Sequence, residues 1–273
     1  MTDNTITLAG DFQAPTREKW EAEVLKVLNR RRPPGTELTL EKGMSRLRTT
    51  TVDGLVIEPL YTEADAPALG VPGQAPFTRG SELRKGEVSA WDIRQLHEDP
   101  NVTTTNAAVL EDLKAGATGI WLRVGAGAIA ASDVSAALAG VLPHLCRISV
   151  SSTSDQAEAA QALVEFWRAS GKQAEVSGSL GIDPLGHQAV TGEKADLSVL
   201  AEWVKVRDEL PKVLPVVVDA TGYDNAGAGD VDQLAFAVAT GIAYLRALAE
   251  AGLAVPTLYP EQLVLIHCEW SLS

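Results

Sequence analysis

From residue 89 onward, short apolar stretches alternate regularly with longer stretches of helical periodicity. The predicted strands are 89–97, 119–124, 147–151, 174–181 and 216–218. The predicted helices are 103–113, 132–141, 155–169, 197–209 and a last one that begins near Asp230. This alternation is typical of parallel strands joined by right-handed crossovers. Five such units do not close an eight-stranded barrel, so an open, curved half-barrel is predicted, with Leu263 to Ile266 pairing beside the fifth strand as a sixth.

The fifth unit indicates where function should be sought. Val216 to Val218 is a β-branched run, which is typical of a buried strand. With part of the barrel missing, we expect these three valines to be less well covered than in a complete barrel. A glycine-containing loop follows, and then a helix with apolar residues at helical spacing: Leu234, Val238, Ile242, Leu245 and Leu248. Parallel α/β folds place their chemistry beyond the carboxyl ends of the strands, which here means Asp219 to Asp230.

The first part of the chain has a different character. Residues 16–29 predict an amphipathic helix, with Trp20, Val24, Leu25 and Leu28 on one stripe. Residues 51–61 contain an Asp-Gly turn and predict a short hairpin. Residues 64–80 are rich in Pro, Gly and Ala and build no core, so they are expected to pack on another surface. We therefore divide the chain into a partner-clasping segment (1–85), a partial (β/α) barrel (86–255) and a divergent tail (256–273).

Charge and cysteine content narrow the functional classes. A net charge of −13 and a pI near 4.8 oppose binding to nucleic acid or to an anionic membrane. Cys146 and Cys268 are too few for a disulfide framework, and no zinc-like Cys/His spacing occurs. No signal-peptide pattern and no run approaching about 18 apolar residues is present. We expect a cytoplasmic protein that binds neither nucleic acid nor membrane.

Five short motifs, each weak alone, carry a resemblance when they occur in this order: PFTRG (76–80), WDIRQ (91–95), AGATG (115–119), LGIDP (180–184) and NAGAGD (225–230). In order and spacing the chain resembles the adenosylcobalamin-dependent methylmalonyl-CoA mutases, and most closely the small (β) subunit of the bacterial heterodimeric enzyme. The resemblance extends through about Val255. It implies a TIM-type barrel threaded by acyl-CoA, preceded by a segment that clasps the large (α) subunit. Complete relatives continue into a linker and a cobalamin domain, which this sequence lacks, and its tail departs from the family's sixth strand.

The resemblance also allows the family's catalytic positions to be compared. The active subunit reads TMYxxRPWTIRQ, and alignment on Trp91 places Gly86 at its tyrosine and Ser89 at its arginine. It also reads SGYHxxEAGA, where the histidine hydrogen-bonds the thioester carbonyl. Alignment on Ala226 to Ala228 places Thr221 at that tyrosine and Gly222 at that histidine, while Tyr223 and Asp224 are displaced. The resemblance therefore implies no catalytic, cofactor-binding or metal-binding residue in this chain.

Four other patterns were weighed, and a structural interpretation is favoured for each. The GAGAIA run that begins at Gly125 lacks the third glycine and the later acidic residue of a dinucleotide site. The loop 225–230 could cradle a phosphate, but Asp230 would repel it. Asp219 and Asp224 favour local capping over an acid/base pair. None of the four histidines (His97, His144, His187 and His267) has the DxHxxG context of a cobalt ligand. Three tryptophans within predicted elements (Trp121, Trp167 and Trp203) are expected to lie in the core.

Three functions remain open at this level. The leading one is a small, non-catalytic subunit that supports interconversion of (R)-methylmalonyl-CoA and succinyl-CoA by the large subunit. In this hypothesis adenosylcobalamin is bound in the holoenzyme through the large subunit, and acyl-CoA is also bound in the holoenzyme. This chain alone is expected to bind no cofactor. The second is an acyl-CoA mutase that is catalytically competent by itself. The third is a barrel fragment that binds small molecules and whose function has drifted.

Overall fold

The computed structural model describes residues 15–67, 69–76, 78–79, 92–152 and 154–253, together with the backbone of 264–267. The chain divides into two units, residues 1–83 and 84–273. The first boundary predicted from sequence, at residue 85, lies close to this division. The separate status of the tail 256–273 stays a prediction.

The first unit contains little buried surface. Its elements are α1 (Arg17–Asn29), α2 (Leu40–Leu47), β1 (Thr49–Thr50), β2 (Val56–Ile57) and a 3₁₀ turn (Glu63–Asp65). Helix α1 begins as predicted, since the Thr16 hydroxyl accepts a hydrogen bond from the Lys19 N–H at 3.3 Å. The predicted hairpin is confirmed, because β1 and β2 pair antiparallel around the Asp53-Gly54 turn. Helix α2 was not predicted. It packs on α1 through Gly43, where a Cβ would lie 3.3 Å from Leu25 Cδ1.

The second unit is built from alternating strands and helices. Its strands are β3 (Arg94–His97), β4 (Gly119–Arg123), β5 (Arg147–Ser151), β6 (Ser177–Ile182), β7 (Val213–Asp219) and β8 (Val264–His267). Its helices are α3 (Val102–Ala115), α4 (Val134–Ala137), α5 (Gln156–Ala169), α6 (Pro184–Thr191), α7 (Val199–Val204), α8 (Thr221–Asn225) and α9 (Asp230–Glu250). The order follows the predicted alternation, so the α/β class is confirmed.

The six strands form one parallel sheet in the order β3-β4-β5-β6-β7-β8, which is their order along the chain. Only neighbouring strands are paired, so β3 and β8 lie at opposite edges and the barrel is not closed. Strand β8 pairs in parallel with β7, with Val216 opposite Val264 and Asp219 opposite His267. The predicted incomplete barrel and its sixth strand beside the fifth are both confirmed.

Several element boundaries differ from prediction. The predicted helix 132–141 is a 3₁₀ turn followed by the single turn α4, and 197–209 is α7 followed by a 3₁₀ turn. Helices α6 and α8 were missed. Helix α6 begins at Pro184 behind the N-cap Asp183, whose carboxylate accepts the Gly186 N–H at 3.1 Å. Short helices of this kind depend on caps and tertiary contacts more than on periodicity.

The structure shows which residues of β7 and α9 are buried, whereas the coverage of Val216 to Val218 relative to a complete barrel stays a prediction. Val216 to Val218 are fully covered, at no more than 7% exposure, because β6 and α9 contact β7. The apolar row predicted to recur along α9 is not the face that meets the sheet. The buried residues of α9 are Gln233, Ala237, Thr240, Tyr244 and Leu248. Of the predicted row only Leu248 is buried, whereas Leu234, Val238 and Ile242 are exposed.

Helix α9 bears on the expectation that no run approaches about 18 apolar residues, and it agrees with it, because Asp232 and Arg246 interrupt the apolar residues of the helix. Among the described residues it is the one helix that is long and apolar enough to cross a membrane by length and composition alone. A core helix of a globular protein meets the same criterion, and α9 packs on β7, α7 and α8.

Candidate functional site

The carboxyl ends of the strands surround a cavity of about 310 Å³, at the position predicted for a functional site. Its wall is formed by Trp121 and Arg123 of β4, the end of β5, Asp183 after β6, and Asp219 to Tyr223 after β7. The indole N–H of Trp121 donates to Ser151 Oγ at 2.8 Å. Arg123 lies 3.0 Å from Glu98. Arg94 also lines this cavity, so its wall carries two arginines, of which Arg123 is paired with Glu98.

A second cavity of about 470 Å³ lies at the amino ends of the same strands. Its lining includes four cationic side chains, Arg94, Arg147, Arg207 and Lys212. Arg94 is paired with Asp92 at 2.5 Å. Both cavities are lined by Arg94, Ser149 and Ser179. They therefore lie along the same face of the sheet, and the amino-end cavity is basic in a chain of net charge −13.

This inner face is lined by small polar residues, whereas a TIM barrel usually fills its interior with bulky branched residues. Arg147, Ser149 and Ser151 of β5 line the cavities, while Ile148 and Val150 between them belong to the hydrophobic core, and Val150 also borders the carboxyl-end cavity. Serines of β6 stand opposite, since Arg147 pairs with Ser177 and Ser149 with Ser179. The alternation is visible in the sequences RISVS and SGSLG. The period-two serine pattern was the signal that sequence reasoning missed.

Ser149 occupies a distinctive position on this face. It is only 4% exposed, and its hydroxyl has no hydrogen-bond partner within the described part of the chain. A buried hydroxyl without a partner is unfavourable by about 1 to 3 kcal/mol. The Ser149 hydroxyl therefore remains available to a polar group placed between the two cavities.

Asp183 joins four elements at the carboxyl ends, and it was not singled out from the sequence. Its carboxylate accepts hydrogen bonds from the Tyr244 hydroxyl of α9 and the Asp219 N–H of β7, the latter at 2.8 Å. Its backbone N–H donates to Gln156 Oε1 of α5 at 2.9 Å. Burial raises the pKa of Asp183, and these hydrogen bonds oppose the rise. Because the carboxylate is occupied on both oxygens, its role is to hold the loops in position.

Asp219 and Asp224 do not form an acid/base pair. Asp219 Oδ1 accepts the Thr221 hydroxyl at 2.7 Å and the Thr221 N–H at 3.0 Å, which begins α8. Asp224 Oδ1 accepts from Gln233 Nε2 of α9 at 2.8 Å. Each carboxylate is engaged locally, in agreement with the structural interpretation favoured from sequence.

The two glycine-rich loops likewise serve as turns. In loop 225–230, the N–H groups of Ala226, Gly227 and Ala228 donate to carbonyls of Tyr223 and Asp224, so they are not free to hold a phosphate. Gly125 has φ +106°, and a Cβ there would lie 2.2 Å from Ser154 Oγ. That loop returns to the sheet through a bridge between Val124 and Ile129.

The histidines whose side chains are described, His97, His144 and His187, lie in different parts of the fold. His97 is buried 3.5 Å from Asp112, and burial lowers its pKa while Asp112 opposes the fall. His187 lines the carboxyl-end cavity, with Nε2 3.5 Å from Glu193. No cluster of three His, Cys, Asp or Glu side chains that could hold a metal occurs in the described ranges. The side chain of His267 lies outside the described residues.

The remaining candidates divide between core and cavity. Trp167 is fully buried and Trp203 packs against the core, as predicted. Trp121 instead lines the carboxyl-end cavity, which corrects its core assignment. Burial raises the pKa of Cys146 to about 11, so its thiol is a poor nucleophile at neutral pH. Cys268 lies outside the described residues.

The positions compared with the family's catalytic residues are only partly visible. Gly86 and Ser89 lie outside the described residues. Thr221, Gly222 and Tyr223 line the carboxyl-end cavity. A Cβ at Gly222 would lie 3.2 Å from Val190 Cγ2, so a larger residue there would have to displace Val190 by a few tenths of an ångström.

Comparison with known proteins gives a consistent assignment. The sequence model of the family described as methylmalonyl-CoA mutase matches residues 50–163 and 123–265. The small subunit of methylmalonyl-CoA mutase from Propionibacterium freudenreichii subsp. shermanii is 47% identical over 92% of this chain, and that from Streptomyces virginiae is 38% identical over 93%. A probable small subunit from Mycobacterium bovis is 30% identical over 88% of the chain. The chain spans about two fifths of the length of these relatives (40%, 42% and 40%).

Proposed function

Since this chain belongs to the methylmalonyl-CoA mutase family, we propose that it is a small, non-catalytic subunit that supports interconversion of (R)-methylmalonyl-CoA and succinyl-CoA by a larger subunit. The observation that carries the proposal is the carboxyl-end cavity, where glycine stands at the position aligned with the family's histidine. The small-subunit names of the relatives support the same assignment. With two cysteines and an acidic pI, the chain is proposed to act in the cytoplasm.

The groups around the cavity support a non-catalytic role. Asp183 and Asp219 are both engaged in hydrogen bonds that hold the backbone. A general acid or base must reach the proton that it transfers, and neither carboxylate is presented to the cavity without a partner. The partner that the described residues give the His187 ring is the exposed Glu193, 3.5 Å away.

Adenosylcobalamin is proposed to bind through the large subunit. The described residues do not fit a cobalt site, because His97 is buried against Asp112 and no cluster of ligating side chains exists among them. The cofactor would supply radical chemistry to the holoenzyme. No step of that chemistry is assigned to a residue of this chain.

The partner is proposed to be the large subunit, held by the first 85 residues. Helix α1 buries none of its residues, and α2 buries only Gly43 and Met44. The exposed large apolar side chains of this unit are Val27, Leu40, Leu47, Val52, Leu55, Val56, Ile57, Tyr61, Leu69 and Val71. An apolar surface of this kind is typical of a protein–protein interface, which supports a clasping role.

Two experiments test the proposal. The purified chain with added adenosylcobalamin should form no succinyl-CoA, whereas the chain together with a large subunit should be active. Succinyl-CoA formation by the chain alone would refute the non-catalytic role. A Gly222→His variant tests the cavity directly, and we expect it to remain inactive because the aligned tyrosine position is also replaced, by Thr221.

The partner surface is tested by co-purification with the large subunit. Deletion of the residues before Ser81 should abolish it, and Val52→Asp, at an 86% exposed site, should weaken it. Val190→Asp is the matched control, since Val190 is also exposed but belongs to the second unit. Unchanged co-purification after the deletion would favour an independent barrel fragment.

A second candidate function is favoured by one observation, the unpartnered hydroxyl of Ser149 between the two cavities. A basic amino-end cavity continuous with a serine-lined face fits an elongated, phosphate-bearing ligand such as an acyl-CoA. Titration calorimetry with succinyl-CoA tests it. Binding that is weakened by Arg147→Glu and by Ser149→Val would support ligand binding by this chain, and absence of heat would exclude it.

A further inference from the structure

A carboxylate is built into the basic end of the sheet. Arg94, Gly119 and Arg147 stand side by side on three neighbouring strands, since Arg94 pairs with Gly119 and Gly119 pairs with Arg147. Adjacent strands are about 4.8 Å apart, so the backbones of the two arginines are about 10 Å apart. Gly119 has no side chain, and a Cβ there would lie 2.8 Å from both carboxylate oxygens of Asp92. The Asp92 carboxylate therefore fills the place of the missing side chain, between the two arginines.

Several groups hold Asp92 in this place. Its Oδ2 accepts hydrogen bonds from Nε and Nη2 of Arg94 at 3.0 and 2.5 Å, and its Oδ1 accepts the Thr118 hydroxyl at 2.8 Å. Burial by itself would raise the pKa of Asp92. The hydrogen bonds from Arg94 and Thr118 outweigh burial, together with the positive charges of Arg94 and Arg147, and the pKa is lowered. Asp92 is therefore an anion at neutral pH and an internal counter-ion of the two arginines.

The amino-end cavity contains more positive charge than Asp92 neutralises. Arg147 and Lys212 line it, and the ion pairs found within the described ranges include neither of them. Glu175, whose charge also acts on Lys212, is exposed and already paired with Lys172 at 3.0 Å. An excess of positive charge therefore remains in the cavity, although the chain as a whole has a net charge of −13.

The Ser149 hydroxyl is a second, independent observation that points to a ligand. Ser149 lies two residues after Arg147 on β5 and lines the same cavity. It is 4% exposed, and its hydroxyl has no hydrogen-bond partner among the residues that the structure describes. A phosphate group presents several strong acceptor oxygens, which can meet a guanidinium and a hydroxyl at the same time. Phosphate chemistry therefore fits this cavity, and Asp92 is the group with which a phosphate must compete.

We propose that the amino-end cavity is a binding site for phosphate-bearing anions and that Asp92 sets its affinity, because the Asp92 carboxylate occupies the arginines that the anion would use. With this carboxylate in place, a ligand must displace it from Arg94 or bind through Arg147 and Lys212. Asp92 is in this role a specificity-determining residue. The proposal goes beyond the subunit role and needs no large subunit, since this chain supplies every group.

Titration calorimetry of the full chain with inorganic pyrophosphate tests the proposal. Asp92→Asn keeps the shape of the side chain and removes its charge, so it should bind pyrophosphate about tenfold more tightly than the wild type. Asp92→Ser, which is also uncharged, should change affinity in the same direction. Adding Arg147→Gln to Asp92→Asn should remove the gain. Glu209→Gln is the matched control, because it releases Arg168 from an ion pair of 2.8 Å although neither residue lines the two cavities.

Three outcomes would overturn the proposal: equal affinity of the wild type and both Asp92 variants, no binding by any of them, or a gain that persists with Arg147→Gln. An equal gain in Glu209→Gln would also overturn it, since the effect would then be one of net charge alone. Each of these results leaves the proposed subunit role untouched. Circular dichroism of each variant checks that the fold is retained, which is expected because the Asp92 side chain is 21% exposed at the start of β3.

Discussion

Replacing Tyr244 by phenylalanine should destabilise the second unit, because it removes one buried oxygen with two hydrogen bonds. The Tyr244 hydroxyl donates to Asp183 and accepts the Leu185 N–H at 2.8 Å, and the ring is fully buried. Burial, reinforced by Asp183, raises the pKa of Tyr244, so the hydroxyl stays a donor at every working pH. Phenylalanine keeps the ring and removes both contacts.

The magnitude follows from the two contacts. A hydrogen bond to a charged group contributes about 1.5 to 3 kcal/mol, and a buried N–H left unpaired costs about 1 to 3 kcal/mol. The two contacts share one oxygen and are not additive. We expect the free energy of unfolding to fall by about 2 to 4 kcal/mol, which is a large fraction of the stability of a typical domain.

The effect should depend on pH. Burial raises the folded-state pKa of Asp183 above its unfolded value, so this group favours the folded state most below its unfolded pKa and loses that contribution as pH rises through its folded pKa. The Tyr244 hydrogen bond opposes the rise, and its removal raises the folded pKa further. The difference in stability between the two proteins should therefore grow as pH rises through the folded-state pKa of Asp183.

Urea unfolding followed by tryptophan fluorescence, to which the buried Trp167 contributes, measures this difference. With a slope of about 2 to 3 kcal/mol per molar urea, the midpoint should fall by about 1 M. Tyr223→Phe is the matched control, because the hydrogen bonds found among the described residues do not include the Tyr223 hydroxyl, and it should change stability by less than about 0.5 kcal/mol. Equal effects of the two substitutions, or a Tyr244→Phe effect that does not change with pH, would refute the role assigned to Asp183.

Two further predictions concern backbone packing and thiol reactivity. Gly178→Ala should prevent folding or cost about 4 kcal/mol or more of the free energy of unfolding, because a Cβ would lie 1.7 Å from the Ile148 carbonyl oxygen. Gly171 also has positive φ but lies in open space, so Gly171→Ala should cost only about 1 to 2 kcal/mol. Thermal melting compares the two variants. Burial raises the pKa of the Cys146 thiol to about 11, so it should react slowly with maleimide at pH 7 and about tenfold faster for each pH unit above 7. Mass spectrometry of the peptide that contains Cys146 measures the labelling. Fast labelling of the folded protein at pH 7 would contradict this prediction.

The sequence by itself determined the α/β class, the order of the strands and the open barrel. β-Branched runs such as Val216 to Val218 and helical periodicity such as that of 155–169 are local signals, and they became β7 and α5. The ordered motifs likewise predicted the family to which the chain belongs. Local signals suffice here because strand and helix preferences act over a few residues.

Tertiary structure alone decided which residues act together. The apolar row that recurs along α9 is mostly exposed, and periodicity does not reveal that the buried row is the one with Tyr244. The Tyr244 hydroxyl bonds to Asp183, 61 positions away. Contacts over such distances leave no periodic trace in the sequence. Ser149 and Ser179 belong to period-two patterns that the sequence does show, but only the pairing of β5 with β6 brings the two serines together on one face. The order of the strands and helices follows from local sequence preferences, whereas the site and the exposed apolar row of α9 depend on how the sheet and α9 pack.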